Sequence, residues 1–154
     1  MIAIGSDHIG YCYKEIIKSY FEESNIKYKD FGCYSETRVD YPEISKKVAY
    51  SIINRECDQG ILICGTGVGI GIAANKINGI RAVMCSEPYS AKMSRKHNNT
   101  NILALGSRVI GIELAKMIID VWINTTFEGG RHEKRVGMIK EIEKTQIKRL
   151  KGIE

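Results

Sequence analysis

The feature that most constrains the fold of this chain is an alternation of short apolar runs with longer segments of helical periodicity. Four such runs end in glycine or cysteine, namely "MIAIG", "GILIC", "IRAVMC" and "NILALG", and "KYKDFG" is a weaker fifth. Short apolar runs of this kind are typical of buried parallel strands. Because helical segments separate them, the sequence predicts a doubly wound parallel α/β sheet of about five strands. The expected arrangement is Rossmann-like, with three α/β/α layers and a long C-terminal helix.

The periodicity of the helical segments also predicts which side chains face the sheet. The expected inner faces are Ile16, Ile17, Tyr20 and Phe21 in a helix at about 11–24, and Leu114, Met117, Ile118 and Val121 in the helix after the last strand.

The length of 154 residues is about that of one compact domain. The chain has only two prolines and no internal repeat, so no linker divides it. We therefore expect a single domain over 1–154, in which the last ten residues or so, "TQIKRLKGIE", extend the final helix.

The net charge of +5 is concentrated at the C-terminal end, where 131–154 holds eight Lys or Arg and four Asp or Glu. Both signs alternate there, and no Phe, Tyr or Trp lies between them to stack on bases. We therefore expect a solvated helix face and no nucleic-acid partner.

No apolar stretch approaches the length of a membrane span, so we expect no membrane partner. The first residues, "MIAIGSDHIG", lack the basic segment of a signal peptide. The five cysteines are odd in number, and none forms a C-x-x-C pair. These features favour a cytoplasmic location and give no sign of a metal site.

The stretch "ILICGTGVG", residues 61–69, sets Cys64 at the mouth of a glycine-rich loop. The dinucleotide fingerprint G-x-G-x-x-G fails there, because its third glycine would fall at Ile70 or Ile72, and no Walker A tripeptide occurs. A loop that leads from a strand into a helix N-terminus attracts anions and favours a thiolate. The alternative is that Cys64 is a small buried apolar residue and that the glycines only permit a tight turn.

Polar groups suited to proton transfer and phosphate binding occur near the predicted loops. The chain has three histidines, each in a polar cluster: His8, His97 and His132. Arg131 and Arg135 are four residues apart, so on a helix they share a face and suit a phosphate. Each histidine alone is also compatible with a surface or core position, and the arginines with an exposed pair bridged to Glu133 or Glu141. Together these groups suit proton abstraction next to the carbonyl of a phosphorylated substrate, through an enediolate.

Several long segments resemble the ribose/galactose-6-phosphate isomerase family, in particular its type B ribose-5-phosphate isomerases. They are "GSDHIG", "DYPEISKKVA", "GILICGTGVGIGIAANKINGIRAVMCSEPYSA", "SRKHNNTNILALGSRVIG" and "EGGRHEKRV". The resemblance covers residue 1 to about 145. It implies interconversion of ribose 5-phosphate and ribulose 5-phosphate, a pentose phosphate reaction, with no metal and no cofactor.

The same resemblance implies roles for individual residues. Cys64 would be the base, Thr66 would help to move protons between the two oxygens, and His97 with Asp7 would open the sugar ring. The residues implied to bind substrate are His8, Tyr41, Gly65, Gly67, Val68, Gly69, Asn98, Arg108, Arg131, His132 and Arg135. One branch of the family uses a glutamate at the position of Ile70, so the presence of Cys64 assigns this chain to the cysteine branch.

The resemblance further implies a homodimer or a dimer of dimers with shared active sites, in which Arg131 and Arg135 reach the neighbour's loop. Two alternatives remain at this point. One is the same chemistry on galactose 6-phosphate or allose 6-phosphate, and the other is a non-catalytic sensor of phosphate or nucleotide.

Overall fold

The computed structural model describes residues 1–150, with side chains described as far as residue 146. The strands are β1 (Ile2–Ser6), β2 (Tyr28–Asp30), β3 (Gln59–Cys64), β4 (Ala82–Met84) and β5 (Ile102–Gly106). The helices are α1 (Tyr11–Glu23), α2 (Tyr41–Ile53), α3 (Val68–Ala74), α4 (Pro88–Asn98), α5 (Ile112–Ile123) and α6 (Arg131–Leu150). All strand pairs are parallel, in the order β2-β1-β3-β5-β4. The predicted doubly wound, Rossmann-like sheet is confirmed.

The central strand β3 shows how the sheet divides the core into two layers. Ile61 and Ile63 pack on one face, against buried side chains of α1, α4 and α5. Leu62 and Cys64 pack on the other face, against α2 and α3. Because successive side chains of a strand alternate between faces, the sulfur of Cys64 belongs to the α2 and α3 side.

The inner face of α1 differs from the sequence prediction. Ile17 and Phe21 are buried as expected, but Ile16 is 47% exposed. The fully buried position one turn before Ile17 holds Lys14. Residues three or four apart share a helix face. The helix rotation that buries Lys14, Ile17 and Phe21 therefore leaves Ile16 facing outward.

The inner face of α5 also differs from the sequence prediction. Met117 is 58% exposed, whereas its neighbour Ile118 is fully buried. The buried residues of this helix are Ala115, Ile118, Ile119 and Trp122. The large indole of Trp122 therefore fixes the rotation of the helix.

The final helix α6 packs against α4 and continues to Leu150. The remaining part of the predicted extension, 151–154, lies outside the described residues. Within 1–150, no helix is long and apolar enough to span a bilayer.

Candidate active site

The thiol of Cys64 lies at the carboxyl end of the central strand, at the position where ligands bind in sheets of this type. Its residue is only 5% exposed. The backbone N–H of Gly67 donates a hydrogen bond to its Sγ, with an N–S distance of 3.1 Å. A donor directed at the sulfur stabilises negative charge there. The glycine loop therefore covers the thiol and directs a backbone donor at its sulfur.

The close approach of the glycine loop to β5 depends on the absence of side chains. Gly67 has φ +77°, and a Cβ there would lie 2.9 Å from the carbonyl carbon of Leu105. A Cβ on Gly106 would lie 2.7 Å from backbone atoms of Thr66. The loop and the end of β5 are thus in direct backbone contact.

We expect Gly67→Ala to lower the free energy of unfolding by about 2 kcal/mol or more, because alanine is strained at positive φ and its Cβ would meet rigid backbone. The measurement is urea unfolding of the wild type and the variant. The matched control is Gly65→Ala, whose Cβ would make ordinary contacts at 3.4 and 3.7 Å. Equal stability losses in the two variants would contradict this account of the loop.

Tyr41 lies over the other end of the glycine loop. A Cβ on Gly69 would be 2.9 Å from its Cζ and 3.1 Å from its hydroxyl oxygen. The N–H groups in the first turn of α3, such as that of Gly69, are ones that a helix leaves without an internal acceptor. The phenol hydroxyl of Tyr41 therefore lies beside the start of α3, in the loop that follows Cys64. Thr66 is exposed on the same loop, and its hydroxyl accepts a bond from the N–H of Val68 at 3.3 Å.

Asp7 and His8 follow β1 at the same edge of the sheet. Asp7 is 7% exposed, and its Oδ1 accepts the N–H of Gly10 at 2.9 Å. His8 is partly exposed and lines an open cavity of about 460 Å³ together with Arg108. The backbone N–H of Arg108 bonds the carbonyl of Gly65 at 3.0 Å, so this cavity adjoins the glycine loop.

The other cysteines differ from Cys64 in their surroundings. Cys85 directly follows β4 and is 8% exposed. Its burial, together with the charge of Glu87, raises its pKa to about 11. A hydrogen bond to Glu36 raises the pKa of the exposed Cys12, which lines the His8 cavity. Neither group favours a thiolate at neutral pH.

The remaining predicted residues lie at the opposite, amino edge of the sheet. Since α4 leads from the end of β4 to the start of the parallel β5, its last residues, His97 and Asn98, return to the edge where the strands begin. The Nε of Arg81, just before β4, donates to the carbonyl of Asn98 at 3.0 Å. The start of α6 adjoins this point, because the N–H of Glu128 donates to the carbonyl of Lys96 at 3.0 Å.

His97 and His132 form a stacked pair at this edge, with ring centroids 4.1 Å apart and planes 7° from parallel. His132 is 4% exposed. Burial, with His97 and Arg131 nearby, lowers the pKa of His132. The stack therefore favours a neutral imidazole at position 132.

His97, His132 and Glu128 are the one His/Cys/Asp/Glu group in the described part of the chain with spacing suited to a metal ion, their ligand atoms lying within 4.8 Å of one another. The nitrogen lone pairs of stacked rings lie in parallel planes. A shared ion would need one ring to rotate out of the stack.

Arg131 and Arg135 are both exposed on the first turns of α6. Neither takes part in the ion pairs formed among the described residues. Their guanidinium groups are accessible to an anion.

The structure thus divides the predicted site residues into two groups. The carboxyl-edge group consists of Asp7, His8, Tyr41, Cys64, Gly65, Thr66, Gly67, Val68, Gly69 and Arg108. The amino-edge group consists of His97, Asn98, Arg131, His132 and Arg135. Within one chain the predicted pair His97 and Asp7 do not meet. Sequence analysis missed two residues of the amino-edge group, because their segments carry no motif of their own. Arg81 bonds the carbonyl of Asn98, and Glu128 lies beside His97 and His132.

Comparisons with a family model, with known sequences and with solved structures all find sugar-phosphate isomerases. The family model for ribose/galactose isomerases matches residues 2–139. Ribose-5-phosphate isomerase B of Escherichia coli K12 is 56% identical over 142 residues, covering 92% of this chain and 95% of that protein. The solved ribose-5-phosphate isomerase B of Clostridium thermocellum is 52% identical, with a TM-score of 0.92 over 94% of this chain and 98% of that one. The D-erythrulose-4-phosphate isomerase of Pectobacterium atrosepticum is 43% identical over 140 residues, covering 90% of this chain and 91% of that protein.

Proposed function

This chain belongs to the ribose/galactose isomerase family, and we propose that it interconverts ribose 5-phosphate and ribulose 5-phosphate through an enediolate, without a metal ion. The observation that carries the proposal is the Cys64 thiol at the end of β3, with the Gly67 N–H directed at its sulfur. The pentose substrate is favoured because relatives bearing that name are 56% and 52% identical to this chain.

In the proposed reaction Cys64 is the base. Its thiolate removes the proton from carbon 2 of the open-chain aldose and returns it to carbon 1, which yields the ketose. Negative charge moves from sulfur to the enediolate oxygens, where backbone N–H groups of the loop over 65–69 stabilise it. Thr66, exposed on the same loop, moves the proton between the two oxygens. The burial of Cys64 keeps water from competing for the carbanion.

The other half of the proposed site comes from a second copy of the chain. The two groups lie at opposite edges of one sheet, so they act on one substrate only if two copies bring unlike edges together. His97 of one copy then opens the sugar ring with Asp7 of the other. Arg131, His132 and Arg135 would bind the phosphate together with His8 and Arg108. A homodimer is the minimum assembly, and a dimer of dimers is compatible with the same arrangement.

Two other functions compete with this one. The family also includes galactose-specific members, in which two different chains divide the work, whereas both groups of site residues occur on this single chain. A phosphate or nucleotide sensor is the second alternative. It is disfavoured because a sensor has no need of a thiol supported by a loop N–H.

The test is a turnover assay of the purified protein with EDTA present. We expect conversion of ribose 5-phosphate, with kcat/KM higher than for galactose 6-phosphate, allose 6-phosphate or D-erythrulose 4-phosphate. A preference for one of those sugars would replace the substrate but keep the chemistry. Loss of turnover on chelation would contradict the metal-free mechanism, and no turnover of any sugar phosphate would favour the sensor.

A further inference from the structure

Lys14 occupies an unusual position on the inner face of α1, because lysine side chains are almost never fully buried unless they are paired. It is 0% exposed, and it is the one lysine among the buried residues of the described chain. Its Nζ donates to Asp30 Oδ2 at 2.6 Å and Oδ1 at 2.7 Å, and to the carbonyl oxygen of Cys33 at 2.7 Å. The ammonium therefore joins α1 both to the end of β2 and to the segment after it.

Burial alone would raise the pKa of Asp30, but hydrogen bonds from Lys14, from the N–H of Gly32 and from Lys18 outweigh it and lower that pKa. Lys18 lies one turn further along α1 and is 2.9 Å from Asp30 and 2.9 Å from Glu15. Both lysines thus pair with Asp30, but only Lys14 also bonds the carbonyl of Cys33. A comparison of the two lysines therefore distinguishes the effect of pairing with Asp30 from the effect of bonding the segment that contains Cys33.

The segment over 31–40, here called the β2–α2 loop, contacts the candidate active site at two points. Near its start, the N–H of Cys33 donates to the carbonyl of Ser6 at 2.7 Å, and the N–H of Ser6 donates to Gly32 at 2.6 Å. Ser6 directly precedes Asp7 and His8. Near its end, the N–H of Val39 donates to Nδ1 of His8 at 3.4 Å.

The contact with Nδ1 determines the form of the imidazole ring. A neutral histidine has one donor nitrogen and one acceptor nitrogen. Because Nδ1 accepts the N–H of Val39, the proton of neutral His8 resides on Nε2. That nitrogen is then the donor that His8 can offer to a ligand in the cavity that it lines with Arg108.

We propose that Lys14 is a positioning residue for phosphate binding, which fixes the β2–α2 loop through the carbonyl of Cys33 and thereby holds His8 in its Nε2–H form. The inference rests on the proposed function in one respect, since it takes the anion bound by His8 to be the phosphate of the substrate. Stability alone does not require this charge pair, because apolar residues of similar volume often replace a buried ion pair without loss. A methionine, however, cannot bond the carbonyl of Cys33.

The binding test uses inorganic phosphate and calorimetry on the full chain. We expect Lys14→Met, and the charge-matched Lys14→Met/Asp30→Asn, to weaken phosphate binding about tenfold, the worth of one hydrogen bond to a charged group. The double variant leaves no unpaired buried charge and keeps an acceptor for Gly32, which protects the fold. The control Lys18→Met removes the other lysine that pairs with Asp30 and is expected to bind phosphate like the wild type.

Two further measurements separate positioning from general damage. In a His8→Ala background the Lys14→Met/Asp30→Asn change is expected to cause no additional loss of phosphate affinity. In the wild type, ¹⁵N NMR of the imidazole is expected to show His8 as the Nε2–H tautomer, a result that needs no variant to fold. An Nδ1–H tautomer, unchanged affinity without Lys14, or the same tenfold loss without His8 would overturn the proposal. None of these outcomes depends on turnover of ribose 5-phosphate by the wild type, which tests the proposed function separately.

Discussion

Replacing Cys64 with serine is expected to lower the turnover of ribose 5-phosphate by about 10²–10⁴-fold, the usual contribution of a positioned acid–base group. The reason is that an alcohol loses its proton far less readily than a thiol, so the Gly67 N–H has no sulfur anion to stabilise. Binding of the substrate is expected to change little, because the residues proposed to bind the phosphate are other than Cys64. Steady-state kinetics give the turnover, and calorimetry with ribose 5-phosphate gives the affinity.

Cys85→Ser is the matched control for this prediction. Cys64 and Cys85 are both buried cysteines, 5% and 8% exposed, at the carboxyl ends of strands of the same sheet. The two substitutions therefore introduce the same hydroxyl at similarly buried positions, but burial, together with the charge of Glu87, raises the pKa of Cys85 to about 11. We expect near-normal turnover in Cys85→Ser. Near-normal turnover in Cys64→Ser instead would mean that another group removes the proton.

The order of strands and helices was predictable because it depends on periodicity, which the local sequence carries. The inner face of α1 was not, because the decisive residue is Lys14, and a lysine on a helix is ordinarily assigned to solvent. Its partner Asp30 is 16 residues away and meets it only after β1 and β2 pair. In α5, the burial of Trp122 rotates Met117 outward, although both residues fit an apolar stripe.

The candidate site was predictable in its carboxyl-edge half by a simple rule, since residues directly after parallel strands gather at one edge. By that rule Asp7, His8 and the loop after Cys64 belong at the carboxyl edge. The same topology also determines the position of His97, which shortly precedes β5 and therefore lies at the amino edge. The approach of Tyr41 to Gly69 has no such signal, because it depends on how α2 packs against α3.

The separation of the two groups leads to a prediction about mixed assemblies. Cys64→Ser damages the carboxyl-edge group, and His97→Gln damages the amino-edge group, so each variant alone is expected to be nearly inactive. In a dimer containing one chain of each kind, one site combines the intact Cys64 of one copy with the intact His97 of the other. A doubly tagged mixed dimer is therefore expected to recover about half of the wild-type activity, since a two-fold dimer has two equivalent sites.

The control pairs Cys64→Ser with Thr66→Ala, two changes on the same loop. Both sites of that mixed dimer then contain a damaged loop, so no recovery is expected. Because purification through two different tags guarantees that both chains are present, a negative result is informative. If the Cys64→Ser and His97→Gln dimer stays inactive, the two edges do not serve one substrate across copies. His97 would then have no part in chemistry at Cys64, since within one chain the sheet itself keeps them apart.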